Sequence, residues 1–178
     1  MFLNRTMGTL AAIWGIVGSI AILGYAIVRM AQHANEAIEY PWGIQHFLVL
    51  MIWVAFMAFS EGYRGFQRNF SPRVAARAIY LIDRSTITRL VLAPLFCMAF
   101  FGAPRKRRVT VIILTLLIAT IVIVFRFIPQ PWRGILDIGV IIGLGWGIVA
   151  TLVFVVRYWM TDEVTYDAEV IEPEQCDG

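Results

Sequence analysis

The densest group of chemically able side chains in this 178-residue chain is Glu61-Gly62-Tyr63-Arg64-Gly65-Phe66, followed at once by Gln67, Arg68 and Asn69. Two glycines let a backbone turn sharply. On such a turn a carboxylate, a phenol and two guanidinium groups could grip a phosphate and supply a general base, the chemistry of an enzyme acting on a lipid headgroup. A plainer reading accounts for the same residues: Glu61 pairs with an arginine, and the other bases snorkel to lipid phosphates.

Two more ionisable groups stand inside apolar stretches. His46 and Asp137 each follow a tryptophan, Trp42 and Trp132, by about one helical turn, which places them at similar depth. An unpaired carboxylate there is expensive, so Asp137 needs a partner. The choices are His46 across a bundle, Arg133 one turn back on the same helix, or Arg126 from the preceding span. Lining a path, the His46 and Asp137 pair would suit a small oligomeric transporter or channel; otherwise it is a structural clamp.

No Walker loop, dinucleotide fingerprint, HExxH or paired-cysteine metal site occurs, so neither a metal nor a cofactor is expected. His33 and His46 are too separated to argue for haem. The two cysteines, Cys97 in an apolar run and Cys176 in an acidic tail, make no disulfide framework.

What must position these groups follows from composition. With 60% hydrophobic and 15% charged residues and a mean hydropathy of +0.75, the chain is far from the balance of a water-soluble domain. The apolar residues gather in long runs, and a hydrocarbon core about 30 Å thick needs roughly 20 helical residues to cross it. The runs over 7–28, 42–60, 109–128 and 135–156 meet that need. The first is longer than a signal-peptide core and has no convincing cleavage site behind it, so it is read as a retained span.

Residues 90–101 are apolar but too short to cross, contain Pro94 and have arginines on both sides. They read as a re-entrant or interfacial segment, since a full crossing would put one of two basic groups outside, against the positive-inside rule. Those groups are Arg64, Arg68, Arg73, Arg77, Arg84 and Arg89 before it, and Arg105, Lys106, Arg107 and Arg108 after it. Both termini are then cytoplasmic, with Tyr40, Trp42 and Trp132 at the outer interface and Tyr158 and Trp159 at the inner one. Five crossings is the alternative topology.

Ser71-Pro72 has the form of an N-cap followed by proline at the first helical position, which predicts a separate helix over about 72–84. Arg73, Arg77, Tyr80 and Arg84 then share one face, away from Val74, Ala78, Leu81 and Ile82, as on an amphipathic helix lying on the membrane. All fifteen basic residues precede position 160, and residues 161–178 hold seven acids and no base. Such a tail has too little apolar content for a core and is expected to be mobile.

Small residues recur every four positions at Gly139, Gly143 and Gly147 and again at Ala11, Gly15 and Ser19. Either groove could seat a helix of the same chain or of a second copy. The resulting expectation is an all-α integral membrane protein: a four-transmembrane-helix bundle over 1–160 with a short re-entrant or interfacial segment and a cytoplasmic amphipathic helix, then an acidic tail. Its expected role is that of a non-enzymatic accessory or scaffold in a bacterial cytoplasmic membrane. Anionic lipid would be held at Glu61, Tyr63, Arg64, Arg68, Arg73, Arg77 and Arg84. Nucleic acid is not an expected partner, because the bases flank apolar spans instead of lining a soluble face with aromatic reading elements.

Overall fold

In hydrocarbon every backbone N–H and C=O must be satisfied inside the protein, and a helix does this within one segment. The computed structural model describes residues 5–84, 86–161 and 168–170, and among these the regular elements are all helical. Helix α1 (Arg5–Ile38) is followed by α2 (Ile44–Met57), a π-helical stretch (Ala58–Phe70) and α3 (Ser71–Asp83). Two five-residue helices come next, α4 (Ile87–Val91) and α5 (Ala93–Cys97), and then α6 (Arg105–Phe125) and α7 (Trp132–Thr161).

Four helices are long and apolar enough to cross a membrane: α1, the continuous 40-residue helix Ile44–Asp83, α6 and α7. The short segment around Pro94 is not one of them. Its two helices lie against α1, where a Cβ on Gly15 would stand 2.6 Å from Cys97 Sγ and 3.3 Å from the Ala93 carbonyl, and one on Gly18 would strike the Pro94 ring. Trp14 adds an indole N–H donated to the Val91 carbonyl at 3.4 Å.

Gly139, Gly143 and Gly147 of α7 are covered by Trp53, Glu61 and Phe66. Both small-residue grooves are therefore filled within one chain, by the second helix and by the Pro94 segment, and not by α1 and α7 closing on each other through them. The first and last helices do meet elsewhere, with Gly134 set against Ala37.

Three expectations need correction. The predicted helix over 72–84 is not a separate surface helix. Ser71 makes no cap; its hydroxyl lies 3.4 Å from the Gly147 carbonyl and accepts from Thr151 Oγ1 at 2.9 Å. The chain runs helically through Pro72, which lacks an N–H, because the preceding turns have adopted i→i−5 bonding, with Ser71 N–H reaching the Phe66 carbonyl. α3 then buries Val74, Ala78 and Leu81 against Ala11, Ala12, Phe96 and Cys97, and packs Ala75 and Ala76 on Tyr158.

The bundle, secondly, has three members and not four. No residue of α6 is buried; it has no glycine to let a neighbouring backbone approach closely. Thirdly, residues 168–170 of the acidic tail are docked: Val170 packs on the cluster formed by α1, α3 and α5. The rest of the tail, apart from Thr161, lies outside the described residues.

The groove contacts predict unequal tolerance of added volume. Gly15→Leu would overpack the Cys97 contact and should cost about 2 kcal/mol, visible as a lower melting midpoint in detergent. Gly24→Leu, at a position with nothing within 4 Å of a new Cβ, should leave the midpoint unchanged or raise it slightly. Equal midpoints for the two variants would contradict this packing.

Candidate functional site

At the end of the bundle where α3 meets the Pro94 segment, the side chain of Arg77 is enclosed, with only 1% of the residue exposed. Its Nη1 donates to the carbonyls of Phe96 at 2.8 Å and Phe101 at 3.2 Å. Nη2 donates to Glu169 O at 3.0 Å and Gly102 O at 3.4 Å, and Nε to Ala168 O at 3.0 Å. The guanidinium also lies over the Phe96 ring at 5.1 Å. A planar fork of five N–H groups suits this cage of carbonyls, and an ammonium would not reach them all.

Neighbouring charges complete a notch around the tail. Arg73 Nε lies 3.7 Å from Glu169 Oε1, and Arg107 of α6 is within Coulombic reach of both. The arginine stripe read from the sequence is thus divided. Arg77 is spent on backbone carbonyls, Arg73 pairs with the tail, and Arg84 is exposed. Arg89, which the sequence offered only as a topology signal, stacks over Tyr80 and Phe96 at 5.5 Å each.

The Glu61 to Arg68 group is also separated. It forms no turn; Gly62 serves close approach, since a Cβ there would stand 2.9 Å from Trp146 Cγ. Residues Trp53, Met57 and Glu61 meet α7 at four-residue intervals, but Phe66 and Ser71 follow at intervals of five, against Gly139, Gly143, Gly147 and Thr151 at intervals of four. The i→i−5 bonding of Ala58–Phe70 produces that change of period. Glu61 is partly buried against Gly143, with Oε2 3.1 Å from where a Cβ would be, while Arg64 and Arg68 are exposed.

Arg68 sits over the Tyr63 ring at 5.0 Å, and Gln67 accepts the Trp146 indole N–H at 2.9 Å. No ion pair joins Glu61 to an arginine among the described residues. The acid and the bases that could have formed a phosphate clamp with a general base thus lie on different sides of one helix.

At the opposite end His46 and Asp137 are not brought together. His46 Nδ1 accepts the Gly43 N–H at 2.9 Å and its ring packs on Trp132 at 4.7 Å. Asp137, 4% exposed, has Arg133 at 4.0 Å, the local partner among the three candidates. Sequence reasoning missed the residues that surround it. Gln130 donates to His33 O at 3.1 Å and accepts the Gly134 N–H at 3.1 Å, and His33 Nδ1 lies 3.5 Å from Glu36. The segments involved are about a hundred positions apart, and no spacing signal links them.

Within the described residues no group of three or more metal-ligating side chains gathers. The fold and its sites define a helical protein with four membrane-length apolar helices and an arginine-rich end. Comparison with protein-family models, curated proteins and solved structures returns no match, so function has to be argued from these residues.

The Arg77 cage yields a second prediction. Burial pushes the Cys97 thiol up to about 12, with the nearby Arg77 charge acting weakly the other way, so thiolate is scarce at pH 8. In a Cys176→Ser background Cys97 should resist maleimide. Arg77→Ala leaves carbonyls unsatisfied and should cost about 3 kcal/mol, exposing Cys97 to rapid labelling; Arg77→Lys should recover little protection. Unchanged protection in Arg77→Ala would show that the cage does not hold this region.

Proposed function

We propose that the chain is a non-enzymatic scaffold of a bacterial cytoplasmic membrane, with both termini cytoplasmic and a basic inner face that holds anionic lipid headgroups. The observation that carries this reading is the surplus of unpaired exposed bases. Arg64, Arg68, Arg105, Lys106 and Arg108 are exposed, and none has an acidic partner within ion-pair distance among the described residues. Each base near an anionic surface gains about 1 kcal/mol. The Pro94 segment enters and leaves on the same side in this topology, which keeps both basic groups in the cytoplasm.

The acidic tail has a part in the same face. Its Glu169 occupies the notch of Arg73, Arg77 and Arg107, where three guanidinium groups converge, so lipid binding falls to the exposed bases around it. The enzyme reading draws no support from geometry that turns Glu61 away from Arg64 and Arg68. The His46 and Asp137 transporter reading draws none either, since His46 Nδ1 accepts the Gly43 N–H and the charges near Asp137 are Arg133 and His33 instead of His46.

Replacing Arg64 and Arg68 together by glutamine should weaken retention of phosphatidylglycerol roughly thirtyfold, the loss of about 2 kcal/mol, with phosphatidylcholine unaffected. Native mass spectrometry of the detergent-solubilised protein reads both lipids, and unaltered phosphatidylglycerol binding in the double variant would remove the reading. For the topology, a cysteine introduced in place of Lys106 should be shielded from an impermeant thiol reagent in whole cells, and one in place of Gln130 should be labelled. The reverse pattern would invert the proposed orientation.

A further inference from the structure

Glu61 has a setting that the lipid-binding reading does not use. Two helices serve as rulers of its depth. Along α7, Gly143 lies eleven residues beyond Trp132 and fifteen before Tyr158, about 16 Å from one aromatic end and about 22 Å from the other at 1.5 Å per residue. Along its own helix Glu61 is seventeen residues from Ile44, about 25 Å. By either ruler the carboxyl stays inside a hydrocarbon layer about 30 Å thick.

Among the described residues nothing ionic compensates it. The elements packed on this stretch are α7 and the adjoining turns of its own helix. α7 has no ionisable side chain between Asp137 and Arg157, and it meets Glu61 with Gly143. On its own helix Arg64 and Arg68 form no ion pair with it, the guanidinium of Arg68 being over Tyr63. From α3, Arg73 is paired with Glu169. A carboxylate held in hydrocarbon without a counter-charge is far less favourable than a neutral carboxyl.

We propose that Glu61 is a proton-binding carboxyl within the apolar layer, carrying its proton at neutral pH and shielded from water by the glycine face of α7. The ligand of this site is the proton itself and not a metal ion, because among the described residues no cluster of metal-ligating side chains forms around it. The inference is independent of whether the basic face binds lipid.

Dicyclohexylcarbodiimide, a lipid-soluble reagent, tests it on the intact wild-type protein in proteoliposomes. The carboxyl proton moves to a carbodiimide nitrogen as the carboxyl oxygen adds to the central carbon. An O-to-N acyl shift then leaves a stable N-acylurea, with nothing expelled. Peptide mapping by mass spectrometry should find the adduct on Glu61, decreasing as pH rises. A water-soluble carbodiimide should mark Glu61 at least about tenfold less. Glu61→Gln should carry no adduct at position 61, and exchanging choline for sodium should leave labelling unaltered.

Marking by the water-soluble reagent to the same extent, or by neither reagent, overturns the proposal. Protection by sodium overturns the assignment of the proton as ligand. Because the decisive arm uses the unmodified chain, a variant that fails to fold does not obscure the result.

Discussion

A guanidinium removed from water must recover its hydrogen bonds inside the protein, and Arg77 recovers them from the carbonyls of Phe96, Phe101, Gly102, Ala168 and Glu169. Those carbonyls belong to the end of the Pro94 segment and to residues 168 and 169, and all but that of Phe96 lie outside regular helices, so they need partners from elsewhere. One side chain of α3 thus joins three stretches that are far apart in sequence. Losing it would leave unpaired carbonyls in an apolar setting as well as removing a charge, and for this reason its replacement by lysine is not conservative.

Helix association is handled differently. For helices that cross a membrane there is little hydrophobic gain in contact, so close approach and dispersion must hold them together. The glycines of α7 let Trp53, Glu61 and Phe66 lie against its backbone, and Gly15 and Gly18 of α1 receive Cys97 and Pro94. Indole N–H groups add specific bonds, from Trp53 to Leu136 O and from Trp14 to Val91 O. α6 has neither a glycine nor an indole, and it stands without buried residues, although it is as apolar as its neighbours.

Much of the fold was legible because crossing length is a property of composition: the four long apolar runs, and the short run around Pro94 that is not one of them, could be counted off the sequence. The grooves were legible too, as small residues every fourth position, but not their occupants. Arg77 was misread for an identifiable reason. Helical periodicity groups it with Arg73 and Arg84, whereas its actual partners include carbonyls 91 and 92 positions away. Ser71-Pro72 gave a true local signal for a helix start that the continuous helix overrode. Asp137 lies 4.0 Å from Arg133, the residue that local spacing offered, without a hydrogen bond between the paired atoms, while the Gln130 and His33 contacts nearby depend on tertiary packing alone.

The division of the Glu61 group follows from a mismatch of periods. On an ordinary α-helix, positions 61, 64 and 68 lie at i, i+3 and i+7 and would share a face, which would join the acid to both bases and make a phosphate clamp plausible. With i→i−5 bonding the contacts on α7 advance by five, from Glu61 to Phe66 to Ser71, so Arg64 and Arg68 fall between them and face outward. That single change of hydrogen-bond register separates two chemistries that the sequence lists side by side. Among the described residues it leaves the Glu61 carboxyl without a counter-charge against Gly143 of α7, and it leaves the exposed Arg64 and Arg68 stems directed away from that helix.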